Sequence, residues 1–69
     1  MEKLDVRGLS CPVPVLRTKK IIDNGVTELH IVGSSQVSKE NVIRLAKSQG
    51  FEIDIKLDNK DLWEIEIRK

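Results

Sequence analysis

Apolar residues recur at two different spacings along this chain, and each change of spacing marks an element. Lys3-Leu4-Asp5-Val6-Arg7 alternates polar and apolar at period two, which predicts a short half-buried strand. Arg7-Gly8-Leu9-Ser10 follows as a loop, with Gly8 supplying a permissive backbone position. From Cys11 to about Asn24 the period becomes helical. Val15, Thr18 and Ile22 fall at i, i+3 and i+7 with Leu16 beside them, and Arg17, Lys20 and Asn24 lie opposite. Asn24-Gly25 is a helix stop. Thr27 to Gly33 reads as a second strand with Leu29 and Ile31 inward and Glu28 and His30 outward. Val32 breaks the alternation, so the outer face there is expected to be partly covered. After the Gly33-Ser34-Ser35 loop, Ser35 or Ser38 caps a second helix running to about Gln49 and closed by Gly50. Val42, Leu45 and Ala46 form its inner stripe, and Glu40 and Arg44 are spaced to pair. The end is a hairpin: Phe51, Ile53, Ile55 and Leu57 alternate with charges, Asp58-Asn59-Lys60-Asp61 turns, and Trp63, Ile65 and Ile67 alternate again.

The order β-α-β-α-β-β predicts an α/β (α+β) two-layer sandwich: a mixed four-stranded sheet with both helices packed on one face. Strands with one polar face cannot be covered on both sides, and right-handed crossovers make the first two strands parallel. If the first three strands share a direction, Cys11, the Gly33–Ser35 loop and the Asp58–Asp61 turn meet at one sheet edge. That is where chemistry sits in open α/β sheets.

Sixty-nine residues predict one domain over 1–69, whose single small core must carry the fold. One cysteine excludes a disulfide framework and suits a reducing compartment, so the cytoplasm is expected. No apolar run approaches the ~20 residues of a membrane span and no signal-peptide pattern begins the chain, so a soluble protein is expected. Twelve basic residues against eleven acidic, at net +1, predict a solvated surface without a strong single-sign field. With one Phe, one Trp and no Tyr, the basic-plus-aromatic footprint of nucleic-acid binders is missing, so direct nucleic-acid binding is not expected.

The chemistry concentrates in Ser10-Cys11-Pro12-Val13-Pro14, which holds the only cysteine and both prolines. Pro12 suits the first helical position, and Pro14 still lies in the first turn, where N–H groups have no intrahelical acceptor. Pro12 also pushes Cys11 out of the α region, toward N-cap geometry. A cysteine there has its thiolate favoured by the helix dipole, and Arg7 and Arg17 could add to that. Each proline removes a backbone donor, so a modest lowering of the thiol pKa is expected. A CxxC dithiol would need a cysteine where Pro14 stands. The only histidine, His30, points to the outer face, away from the helices. One Cys and one His cannot build a four-ligand zinc site in a monomer, and no cofactor is expected. What remains is a thiol that exchanges sulfur with another protein's sulfur.

Asp5-x-Arg7-Gly8-Leu9-x-Cys11-Pro12-x-Pro14-Val15-Leu16-x-Thr18-Lys19-Lys20 resembles the signature of the TusA/SirA-like sulfur-carrier family, and the element order agrees over essentially the whole chain. Lys39-Glu40-Asn41-Val42 with Ser48-Gln49-Gly50-Phe51 resembles the YedF branch, whose longer members attach a second domain; ending at Lys69, this chain is expected to lack it. The resemblance implies that Cys11 carries a persulfide from a cysteine desulfurase, or another donor, to a downstream acceptor protein. Family routes include tRNA thiolation, molybdenum-cofactor synthesis and sulfur oxidation, and YedF relatives are linked to selenium metabolism. Val13 stands where the tRNA-thiolation members carry an acidic residue, so their partner contacts do not carry over.

The expected function is therefore a monomeric sulfur carrier, a relay component acting with partner enzymes. Cys11 bears the sulfur, Arg7, Gly8, Pro12 and Pro14 support it, and Arg17, Lys19 and Lys20 are candidates for docking an acidic partner. Blander readings stand beside these. Cys11 could be a buried structural thiol, Lys19 and Lys20 solvated helix surface, and Gly33-Ser34-Ser35 a turn and cap instead of an anion cradle. The functional alternative is a regulatory or adaptor module with a redox-sensitive thiol; a weaker one is an RNA-binding module.

Overall fold

The computed structural model describes residues 2–10 and 12–69. The elements are β1 (Glu2–Asp5), α1 (Val13–Asp23), β2 (Glu28–Gly33), α2 (Gln36–Ser48), β3 (Glu52–Asp58) and β4 (Trp63–Arg68). They form a two-layer α+β fold, one four-stranded mixed sheet under two helices, as the alternation predicted. The sheet order is β1-β2-β4-β3, with β1 parallel to β2 and β4 antiparallel to both its neighbours. So β1, β2 and β3 share a direction, and their carboxyl ends lie at one edge.

Placing β4 in the middle decides where the core sits. Leu29, Ile31, Trp63, Ile65 and Ile67 are fully buried beneath Ile22, Val42 and Ala46. β3, at the border, is less covered: Ile55, expected inside, is 50% exposed. A bulge at Lys56 then sets Leu57 opposite Glu64, on the outward row, which breaks the predicted inward alternation. The bulge also spoils β3 as a template for edge pairing.

β1 ends two residues earlier than expected. The Asp5 side chain accepts from the Arg7 backbone N–H at 2.9 Å, an Asx turn that bends the chain out of the ladder. α1 also starts late. Pro12 sits at its N-cap, Pro14 at its second position, and the Pro12 carbonyl accepts the first helical bond from Leu16 N–H at 3.1 Å. The buried stripe of α1 is Pro14, Thr18 and Ile22, not the Val15-led stripe with Leu16 beside it. At about 100° per residue Leu16 lies about 160° from Thr18, so a helix that buries Thr18 must expose Leu16. Leu16 is 58% exposed. The Thr18 hydroxyl, buried in this stripe, donates to the Pro14 carbonyl at 2.8 Å.

Ser35 is the cap of α2, its hydroxyl accepting from Ser38 N–H at 3.4 Å. At the other end Phe51 N–H reaches the Ala46 carbonyl and Gly50 N–H the Lys47 carbonyl, a Schellman closure with Gly50 at φ +84°. The expected Glu40–Arg44 pair is not among the ion pairs of the described residues. Ser35→Ala should lower stability by about 1 kcal/mol. A urea midpoint equal to the parent's would show that the hydroxyl adds nothing.

Gly33 closes β2 directly opposite Trp63, and a Cβ there would run into the indole ring. Gly33→Ala should therefore cost about 1–3 kcal/mol by overpacking. An unchanged thermal midpoint would mean that the ring moves aside freely.

Candidate functional site

The shared edge is stitched by short polar contacts from every loop that reaches it. Val6 N–H donates to the Val32 carbonyl at 2.8 Å, and Gly8 N–H to Ser34 Oγ at 3.1 Å, with Gly8 at φ +75°. These bonds pin the loop before α1 to the end of β2. The Trp63 indole N–H donates to the Ser35 carbonyl, Gln36 Nε2 to the Asn59 carbonyl, and Lys39 Nζ meets Asp58 Oδ1, each at 2.8 Å. The Lys39 ammonium holds the Asp58 carboxyl below the usual carboxylate range. Because the Ser34 and Ser35 hydroxyls are engaged by the protein's own N–H groups, Gly33-Ser34-Ser35 acts as turn and cap.

Cys11 lies outside the described residues, and with it the expectations of its N-cap geometry, exposure and acidity. Its flanks are fixed. Val13 N–H donates to the Ser10 carbonyl at 3.0 Å, which ties the loop to the helix across that position. Ser10 and Pro12 are exposed and Pro14 is buried. Pro14 thus anchors the first turn in the core, while Pro12 stands at the surface.

The basic candidates separate. Arg7, placed by sequence as a possible support for the thiolate, is turned onto Asp5, with Nε at 3.0 Å from Oδ1 and Nη2 at 2.8 Å from Oδ2. That grip holds the Asp5 carboxyl below its ordinary range. Both side chains are more than half exposed, so the pair is a surface clasp of little stabilising value. Lys19 pairs with Asp23 one turn on at 2.8 Å. Arg17 and Lys20 are exposed and make no ion pair among the described residues.

His30 faces the open side of the sheet, between two carboxylates of β4: Nε2 is 2.8 Å from Glu64 Oε1 and Nδ1 3.4 Å from Glu66 Oε2. The helical layer lies on the other side. Val32, on the same outer face, is half-buried beside a shallow cleft that Leu62 and Arg7 also line, which accounts for its break in the alternation. Among the described residues no group of three His, Cys, Asp or Glu side chains is placed to hold a metal ion, and no helix is long and apolar enough to cross a membrane.

Sequence reasoning missed a groove between the helices. Pro12 and Val15 from α1 and Asn41, Arg44, Leu45 and Ser48 from α2 line an open, largely apolar depression of about 500 Å³. Val15 and Leu45, read from the sequence as members of the inner stripes, sit beside the fully buried residues of their helices instead.

Comparison with known proteins agrees with this geometry. The family model described as sulfurtransferase TusA matches residues 2–69. The candidate sulfur carrier MJ0990 of Methanocaldococcus jannaschii is 39% identical over 71 positions, covering 100% of this chain and 95% of that one. The sulfur carrier protein TusA of Allochromatium vinosum is 33% identical over 54 residues, 75% of this chain and 71% of that one. The crystal structure of a SirA-like protein from Desulfitobacterium hafniense superposes with a TM-score of 0.84 at 24% identity, covering 99% of this chain and 96% of that one, a likeness of fold. By sequence match across nearly its whole length, the chain belongs to the TusA sulfurtransferase family.

Proposed function

We propose that this protein is a sulfur carrier whose Cys11 takes up a sulfur atom as a persulfide and passes it to a second protein. The observation that carries the reading is the family match over residues 2–69, which includes the Cys11-Pro12-Val13-Pro14 run. In the loading step the Cys11 thiolate attacks the outer sulfur of a donor's persulfide. The donor's sulfur–sulfur bond breaks, its cysteine leaves as a thiolate, and the outer sulfur ends on Cys11. No external oxidant or reductant is consumed. Unloading to an acceptor thiol repeats the exchange in the other direction.

The surrounding residues have supporting parts. Gly8 and Pro14 lock the approach and the first helical turn, Pro12 keeps the helix start stiff, and Arg7, held by Asp5, shapes the loop before Cys11. Arg17, Lys19 and Lys20 give α1 a basic surface toward an acidic partner. The donor is a cysteine desulfurase or an equivalent persulfide-bearing protein. Residues 1–69 act as one carrier domain, monomeric between encounters, in the cytoplasm where a single thiol stays reduced.

The test is to incubate the protein with a cysteine desulfurase and cysteine, and to read its intact mass and peptide map. One added sulfur, located on Cys11 and removed by a thiol reductant, is expected. A mass that never changes would refute the reading.

A further inference from the structure

The near-neutral net charge, read in the sequence as a surface without a strong field, conceals a separation by layer. The two helices carry Arg17, Lys19, Lys20, Lys39, Arg44 and Lys47 against only Asp23 and Glu40. The rest of the chain holds six basic side chains against nine acidic ones. The helical layer is therefore net positive and the sheet side net negative.

Pairing sharpens the contrast. On the outer face of the sheet the cations are taken up by carboxylates, Lys56 by Asp54 and Arg68 by Glu66 and Asp54, and His30 lies between Glu64 and Glu66. On the helical layer, Arg17, Lys20, Arg44 and Lys47 form no ion pair among the described residues, although Glu40 stands at the right spacing for Arg44. The same layer holds the apolar groove of Pro12, Val15 and Leu45, with Arg44 on its wall, and the exposed Leu16. Pro12, at one end of this groove, directly follows Cys11 in the chain.

Resting on the carrier reading above, we propose that this groove is the docking site for an acidic segment of the sulfur-donating protein, one that offers an apolar side chain flanked by carboxylates. An apolar floor with Arg44 on its wall, in a helical layer that also carries Arg17, Lys20 and Lys47 without ion-pair partners among the described residues, is complementary to that chemistry, and opposite potentials speed the encounter. A nucleic acid fits less well. Both aromatics, Phe51 and Trp63, are buried, so the helical face has no platform on which bases could stack.

The experiment measures the rate of Cys11 loading by a cysteine desulfurase against carrier concentration, at low and moderate salt. Arg44→Glu with Lys47→Glu should raise the carrier's KM about tenfold at low salt, leave kcat unchanged, and flatten the salt dependence. Arg44→Gln with Lys47→Gln should show a smaller shift in the same direction, which guards against an effect of helix destabilisation. Lys3→Glu, on the sheet side, should leave KM as it is. Inorganic polysulfide, too small to dock, reports separately whether Cys11 still reacts.

Parent-like KM values in both double variants, with the parent loaded normally, would overturn the docking proposal and leave the carrier reading standing. A parent loaded by neither desulfurase nor polysulfide would bring both down. If the double variants lost affinity for an RNA oligonucleotide while their KM for the desulfurase stayed unchanged, the patch would be a nucleic-acid surface and the proposal overturned.

Discussion

Cys11→Ser is expected to accept no sulfur from a cysteine desulfurase, while its fold and melting behaviour stay close to those of the parent. The physical reason is the leaving-group exchange itself. A serine hydroxyl is far less acidic than a thiol, so at neutral pH it offers almost no anion to attack a persulfide, and oxygen forms no stable analogue of the product. The loss should therefore be complete. Folding should be spared because residues on both sides of this position hold the region. Gly8 is bonded to Ser34, Val13 to Ser10, and Pro14 is buried against the core. Sulfur added equally to Cys11→Ser, seen by intact mass, would place the chemistry elsewhere. The regulatory alternative predicts otherwise: Cys11→Ser would leave function in cells intact, or oxidant would modify Cys11 with no desulfurase present.

Trp63→Ala should remove a large part of the fold's stability. A domain of 69 residues has about 3–10 kcal/mol of stability to lose, and removing a fully buried large aromatic costs about 3–5 kcal/mol. Trp63 is 0% exposed, lies against Gly33 on the neighbouring strand, and donates its indole N–H to the Ser35 carbonyl at the start of α2. It thus joins β2, β4 and the second helix at the edge where the carboxyl ends of β1, β2 and β3 lie. Trp63→Phe keeps most of the ring and forfeits the hydrogen bond, leaving a part-buried carbonyl to find another donor, so its cost should be smaller, about 1–3 kcal/mol. Urea unfolding followed by far-UV circular dichroism separates the two. An alanine variant with the parent's midpoint would show that this edge is held without the indole.

The separation of charge changes how the basic residues of α1 are understood. Lys19 was a docking candidate on the same footing as Lys20, yet it is clasped by Asp23, whereas Arg44 and Lys47 on α2 have no such partner among the described residues. The free cations therefore extend over both helices. A spacing count along one helix could not show that, because the second helix enters the surface only through packing.

Periodicity by itself determined the number, order and type of the elements. Alternation is a local property of a backbone whose side chains change face at every residue, and the stops at Gly25 and Gly50 require only that glycine accepts positive φ. The position of the Cys11 run between a strand and a helix was legible for the same reason. Sheet order was not, since either strand of the final hairpin could have paired with β2. Only the fold puts β4 in the centre, which buries Trp63, Ile65 and Ile67 completely and leaves Ile55 on β3 half exposed. The roll of α1 was likewise a tertiary decision. Sheet contact chose Pro14, Thr18 and Ile22, and Leu16 turned to solvent as a consequence. The groove beside Pro12 and the positive helical layer belong to the same class: they exist because two helices far apart in sequence lie on one face of one sheet, with charges that sum to almost nothing along the chain and do not cancel in space.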